Sequence, residues 1–138
     1  MTAVVQAPAR HRSLLSFDFG TRRIGVAVGN TLTGRARPLG PVTGGDAAFD
    51  AIAGLIEEWQ PDALVVGVPT HPDGAPHENT RRAQRFARRL HGRFRLPVHE
   101  VDERWSTTEA LSSGASDLDG ASAAIILEQF LREQAQAS

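Results

Sequence analysis

Two spacings of apolar residues alternate along this chain and divide it into strands and helices. Leu14 to Phe19 (Leu-Leu-Ser-Phe-Asp-Phe) and Ile24 to Val28 are short apolar runs, the second β-branched at alternate positions, and together they predict a hairpin. Gly20 and Gly25 suit a turn whose backbone bends sharply or is closely approached. Arg35 to Val42 predicts a third strand. Pro38 and Pro41 confine it to an edge, because proline cannot donate to a ladder. After Gly44-Gly45, the residues Phe49, Ile52, Ala53, Leu55 and Ile56 recur at helical spacing as far as about Trp59, with Asp46 as N-cap and Pro61-Asp62 as the stop. Ala63 to Val68 is apolar throughout, the pattern of a parallel strand buried on both faces.

A loop from Pro69 to Pro76 follows, and then a helix from about His77 to Arg93 with Ala83, Phe86, Ala87 and Leu90 as its stripe. Pro97 to Val101 predicts the fifth strand, which leads into Asp102-Glu103-Arg104. Ser106 to Leu111 reads as a short helix, and Ser112 to Asp117 as a polar connection. The last helix runs from near Asp119 to about Gln134, with Ala123, Ile126, Leu127, Phe130 and Leu131 facing inward. The order is β-β-β-α-β-α-β-α: an α/β domain with a mixed five-stranded sheet, its first strand central and helices on both faces. Residues 13–138 are expected to form this one domain, and residues 1–12 a disordered lead-in without the apolar core of a secretory signal.

Composition narrows the chemistry. With no cysteine there is no disulfide, thiolate metal site or cysteine nucleophile, which fits a reducing compartment. No apolar run approaches the roughly 18 residues of a membrane span. The net charge of −1 carries no nucleic-acid signal taken whole, but all 15 basic residues are arginine and they are unevenly placed. Arg81, Arg82, Arg85, Arg88 and Arg89 crowd the second predicted helix. Taken singly each is a solvated side chain; taken together they read as contacts to nucleic-acid phosphates. The absence of interleaved aromatic residues argues for backbone and shape recognition over base stacking. His11, His71, His77, His91 and His99 show no ligand spacing, and Trp59 and Trp105 read as packing residues.

The acids are more telling. Asp18 stands in an apolar strand, where a carboxylate is costly to bury without a partner. It is either a strand-end residue bonded to nearby amides or part of a site. Asp102-Glu103 ends a predicted strand, and strand alternation lets at most one of the two point toward Asp18. Glu103 has the alternative of pairing with an arginine. Asp119 either caps the last helix or faces the same rim. Carboxylates converging from a central strand, a parallel strand end and a packed helix would need a cation, and oxygen ligands suit Mg²⁺ or Mn²⁺. Such ions activate phosphodiester hydrolysis without a covalent nucleophile.

The motifs resemble a known family. Asp18-Phe-Gly-Thr-Arg-Arg-Ile-Gly-Val-Ala-Val is similar to the opening motif of the YqgF/RuvX family of Holliday junction resolvases. Gly67-Val-Pro69 with Asp73-Gly74 resembles its middle motif, Asp102-Glu-Arg-Trp-Ser-Thr107 its Asp-Glu-Arg motif, and Asp119-Gly-Ala-Ser-Ala123 its final acid and apolar helix. The resemblance implies an RNase H-like fold, cytoplasmic location and divalent-metal nuclease chemistry, directed at Holliday junctions or at the 5′ end of 16S rRNA precursor. It implies Asp18, Glu103 and Asp119 as metal-binding and catalytic acids. Arg22, Arg23 and Arg104 lie inside these motifs and suit phosphate contacts. Junction resolution needs two cuts, for which a homodimer is expected. The chain departs from the family at Asn30, at Ser122 and in the Thr70–Pro76 loop, which bears on substrate preference. Two other readings stay open: a binding module of the same fold without catalysis, and an actin-like phosphate loop in Asp-x-Gly-Thr, although such ATPases use two such lobes.

Overall fold

The computed structural model describes residues 12–20, 22–69, 79–102 and 118–137, with the backbone alone at 118–121 and 136–137. The elements are β1 (Ser13–Asp18), β2 (Arg23–Asn30), β3 (Ala36–Thr43), α1 (Ala47–Trp59), β4 (Ala63–Val68), α2 (Thr80–Phe94), β5 (Val98–Asp102) and α3 (Leu118–Ala137). The short helix expected at Ser106 to Leu111 and the start of the second helix near His77 lie outside the described residues.

The five strands form one sheet in the order β3-β2-β1-β4-β5. β1 is central, antiparallel to β2 and parallel to β4, and β4 is parallel to β5. The sheet is mixed, as the pattern of hairpin followed by α/β alternation requires. β4 is buried at all six positions, which explains its unbroken apolar sequence. β3 holds the edge that its prolines demand, and a bulge between Val26 and Ala27 lets Leu39 pass without a partner in the ladder.

Strand alternation sorts the core into two layers. Leu15 and Phe17 of β1 join Leu64 and Val66 of β4 beneath α1 and α2, whose Phe49, Ile52, Phe86 and Leu90 complete that layer. Leu14 of β1 and Ala63 and Val65 of β4 pack on the other face against Ile126, Leu127, Phe130 and Leu131 of α3. Helices therefore cover both faces, two on one and one on the other among the described elements.

Two contacts fix α3 on its face. The buried hydroxyl of Ser16 donates to the carbonyl of Ala123 at 2.8 Å, which satisfies a polar group in an apolar strand. Gly29 lies so close that a Cβ there would stand 3.0 Å from Leu127 Cδ2 and 2.6 Å from the Arg35 carbonyl oxygen. Gly29 pairs with Leu14, so Leu127 sits at the level of Leu14 and Ala123 at the level of Ser16. α3 thus runs antiparallel to β1, one helical turn of about 6 Å for each two strand residues of about 6.6 Å.

Asp46 does not act as the expected cap. Its backbone is already helical (φ −65°, ψ −28°) and its side chain makes no cap bond; the carboxylate turns outward to Arg89 Nη2 at 3.3 Å. No helix among the described residues is long and apolar enough to cross a membrane.

Candidate active site

The parallel strands β1, β4 and β5 end on one rim. Asp18 closes β1, in register with Gly67, and Gly67 is in register with Val101. Asp18 shares its face with Leu14 and Ser16, the face that α3 covers. Asp18 is half-buried and interacts with a neighbour. Gly67 occupies the next strand on that same face and is buried.

β5 resolves part of the ambiguity between the paired acids. Val101 packs with α3, and the His99 ring lies 5.0 Å from that of Phe130. Val98 packs in the opposite layer. By the same alternation Asp102 belongs to the face opposite Asp18. Its backbone lies beyond β4, two strand spacings or roughly 10 Å from β1. Glu103 and Arg104 lie outside the described residues. Asp119 falls in the first turn of α3, so it is inside the helix and not its cap. It stands one turn before Ala123, whose carbonyl accepts from Ser16 on the face of β1 that also carries Asp18. Among the described side chains no three acids or histidines gather as a metal cluster. The donors available at this rim are carboxylate oxygens, which suit a hard divalent cation.

The arginines divide between two surfaces. Arg22 and Arg23 are exposed at the start of β2, at the same end of the sheet as Asp18. α2 lies on the face opposite α3, so it meets the rim only at its first turn, where the Thr80 hydroxyl donates to the Pro69 carbonyl just beyond β4. Arg82, Arg85 and Arg89, at helical spacing i, i+3 and i+7, line a groove toward α1. Arg88 instead lines a hollow toward β5 with His91 and Glu100. Arg81 is exposed, seven residues before Arg88 and on the same stripe. Arg89 pairs with Asp46 and lies 4.4 Å from the Phe49 ring centre. The expectation of five arginines beside the acids therefore becomes two rows, with only the N-terminal members near the rim.

Aromatic residues meet these arginines in space although they do not alternate with them in sequence. Phe19 just after β1, Phe49 of α1 and Phe86 of α2 meet with ring centres 5.2 Å (Phe19–Phe86) and 5.8 Å (Phe49–Phe86) apart. A linear reading has no signal for that convergence.

Comparison with known proteins agrees with this architecture. The family model described as RuvX, Holliday junction resolvase, matches residues 12–133. A Polaromonas protein named as a pre-16S rRNA nuclease is 61% identical over 133 residues, covering 96% of each chain. A protein of the same name from Albidiferax ferrireducens is 61% identical over 129 residues, covering 93% of this chain and 83% of its own. Among solved structures, Thermus thermophilus RuvC in complex with Holliday junction substrate aligns with a TM-score of 0.62 at 14% identity, over 89% of this chain and 96% of that chain. A second T. thermophilus RuvC structure gives 0.56 at 13% identity, over 90% of this chain and 96% of that chain. These two show an RNase H-like fold.

Proposed function

The chain belongs to the RuvX Holliday junction resolvase family, and from that membership we propose that it is a divalent-metal-dependent nuclease that hydrolyses phosphodiester bonds in 16S rRNA precursor, in branched DNA, or in both. The observation that carries this reading is the rim itself. Asp18 ends the central strand beside Gly67, and α3 is pinned so that Asp119 begins one turn above the Ser16–Ala123 bond.

In this reading Asp18, Glu103 and Asp119 hold Mg²⁺ or Mn²⁺. The strand alternation that sets Asp102 on the α1/α2 face supports Glu103 as the acid of that pair. The bound ion supplies an activated water and charge stabilisation at the phosphate. The chain's own groups position the substrate. Asp18 and Asp119, set on a strand and a helix that are locked together, give the ion a fixed seat. Arg22, Arg23 and Arg104 draw the phosphate backbone to the rim, and the N-terminal arginines of α2 hold the strand where it leaves. Cytoplasmic action follows from either substrate. Cutting a four-way junction twice calls for two copies of the chain.

The test is cleavage of rRNA precursor carrying the 16S 5′ end, of a four-way DNA junction and of single strands, each with Mg²⁺, Mn²⁺ or chelator. Metal-dependent cutting of at least one substrate is expected. Asp18→Asn and Asp119→Asn should each lower it by at least about a hundredfold, since even residues behind a ligand are worth 10 to 100-fold, with circular dichroism unchanged. Cutting that survives both substitutions, or that proceeds in chelator, refutes the proposal.

A further inference from the structure

The groove between α1 and α2 is unaccounted for by chemistry at the acids. It encloses about 260 Å³, below the roughly 300–1,000 Å³ of drug-sized sites. Its floor is apolar: Phe19 is half-buried, and Phe49 and Phe86 are only 3% and 4% exposed. Its wall is the exposed guanidinium row of Arg82, Arg85 and Arg89. Asp46, the carboxylate in the lining, is paired with Arg89, while Arg85 has no ion-pair partner among the described residues. The positive end of α1 opens on the same space, with Gly45 (φ +82°) clearing its mouth.

Position gives the groove a meaning. Phe19 directly follows Asp18, and alternation turns it to the opposite face of the sheet. A polynucleotide held at Asp18 therefore needs only to pass over the end of β1 to reach the groove. A space with an apolar floor and a cationic wall suits one nucleobase with its flanking phosphates. A base inside a duplex cannot enter it, because its faces are stacked and its edges paired.

We propose that this groove is a subsite for one unpaired nucleotide of the substrate strand, close to the cleaved bond, with its base against Phe19 and its phosphates on Arg82 and Arg85. The assignment rests on the nuclease reading above and sharpens its substrate class: a strand with an unpaired flank at the cleavage point, not a continuous duplex. Arg88, on the other side of α2, holds phosphate without regard to the base.

The experiment measures binding by the full chain in chelator at fixed salt. The probes are RNA and DNA hairpins with a single-stranded flank, in which an abasic spacer replaces each flanking nucleotide in turn. One position should weaken binding by about tenfold, within the range known for single base–aromatic contacts. In Arg85→Ala the intact and abasic probes should differ by less than about twofold, whereas Arg88→Ala should weaken both equally and keep the difference. Both arginines are exposed, so the variants are expected to fold, and circular dichroism checks that. Comparing RNA with DNA flanks shows which sugar the groove accepts. A flat abasic scan, or equal behaviour of the two variants, overturns the subsite. A flat scan beside intact metal-dependent cleavage defeats the subsite alone. An abasic effect in a protein that cuts nothing defeats the nuclease reading and leaves the subsite standing.

Discussion

His99 shows how a single side chain ties stability to pH. Its Nε2 is buried without a hydrogen-bond partner among the described residues, and its ring packs on Phe130. Burial, and then the charge of Arg12, hold its pKa below the ordinary value of 6.5. The neutral ring is thus favoured in the folded state. Above pH 6.5 both states are neutral and His99 is silent. As pH falls through 6.5 the unfolded chain takes up the proton first, so stability declines until the folded value is passed. His99→Phe should flatten that part of the acid-side profile in denaturant titrations at pH 5 and pH 8. It should also add about 1 kcal/mol at pH 8 by removing the orphaned nitrogen. A profile unchanged by the substitution would show that His99 is not the group responsible. At the same scale, the loss of cutting in Asp18→Asn separates a working acid from a strand-end acid that merely bonds to backbone.

At the scale of elements, the proposed reading makes α3 decisive, because it carries Asp119 on a helix held at Ser16 and Gly29. Gly29→Ala places a methyl against the Arg35 carbonyl oxygen and Leu127 Cδ2, and the backbone oxygen cannot yield without moving the chain that leads into β3. A loss of about 1–3 kcal/mol is expected from urea unfolding. Nuclease activity should fall further than the folded fraction does, since the acids lose their relative position. All eight described elements were legible in the sequence within three residues at their ends, because each is marked by a helical period or by a short apolar or proline-bearing run bounded by turn residues. The buried strand Ala63–Val68 coincides with its apolar run. What lay beyond reach was relational. No spacing announces that α2 sits across the sheet from α3, that Asp46 spends its carboxylate on Arg89 and not on a cap, or that Phe19, Phe49 and Phe86 share one groove. Of the candidate site, Asp18 stood out by its cost in an apolar strand, whereas the face that Asp102 takes needed the register of β5.

For the whole molecule, a net charge of −1 means that nucleic acid must be held by local charge and not by overall attraction. Binding should therefore weaken linearly with the logarithm of salt, with a slope counting the arginines engaged. Replacing Arg82, Arg85 and Arg88 together by alanine should reduce the slope by about 2 for single strands, at about 0.7 per phosphate contact. The ion pairs Arg89–Asp46 and Arg93–Asp50 are surface contacts of 3.3 and 3.2 Å. They contribute under about 1 kcal/mol each, so salt should alter folding far less than binding. A slope that does not move in the triple variant would place the nucleic acid away from α2.

Asp18 and Phe19 are neighbours that look in opposite directions from the end of one strand. Chemistry and grip, on the proposed reading, then hang on a common thread. Were β1 to slip by a single residue, ring and acid would exchange sides, and both tasks would fail at once. Adaptation to a new substrate is consequently steered toward α1 and α2, whose side chains can change while the thread stays still.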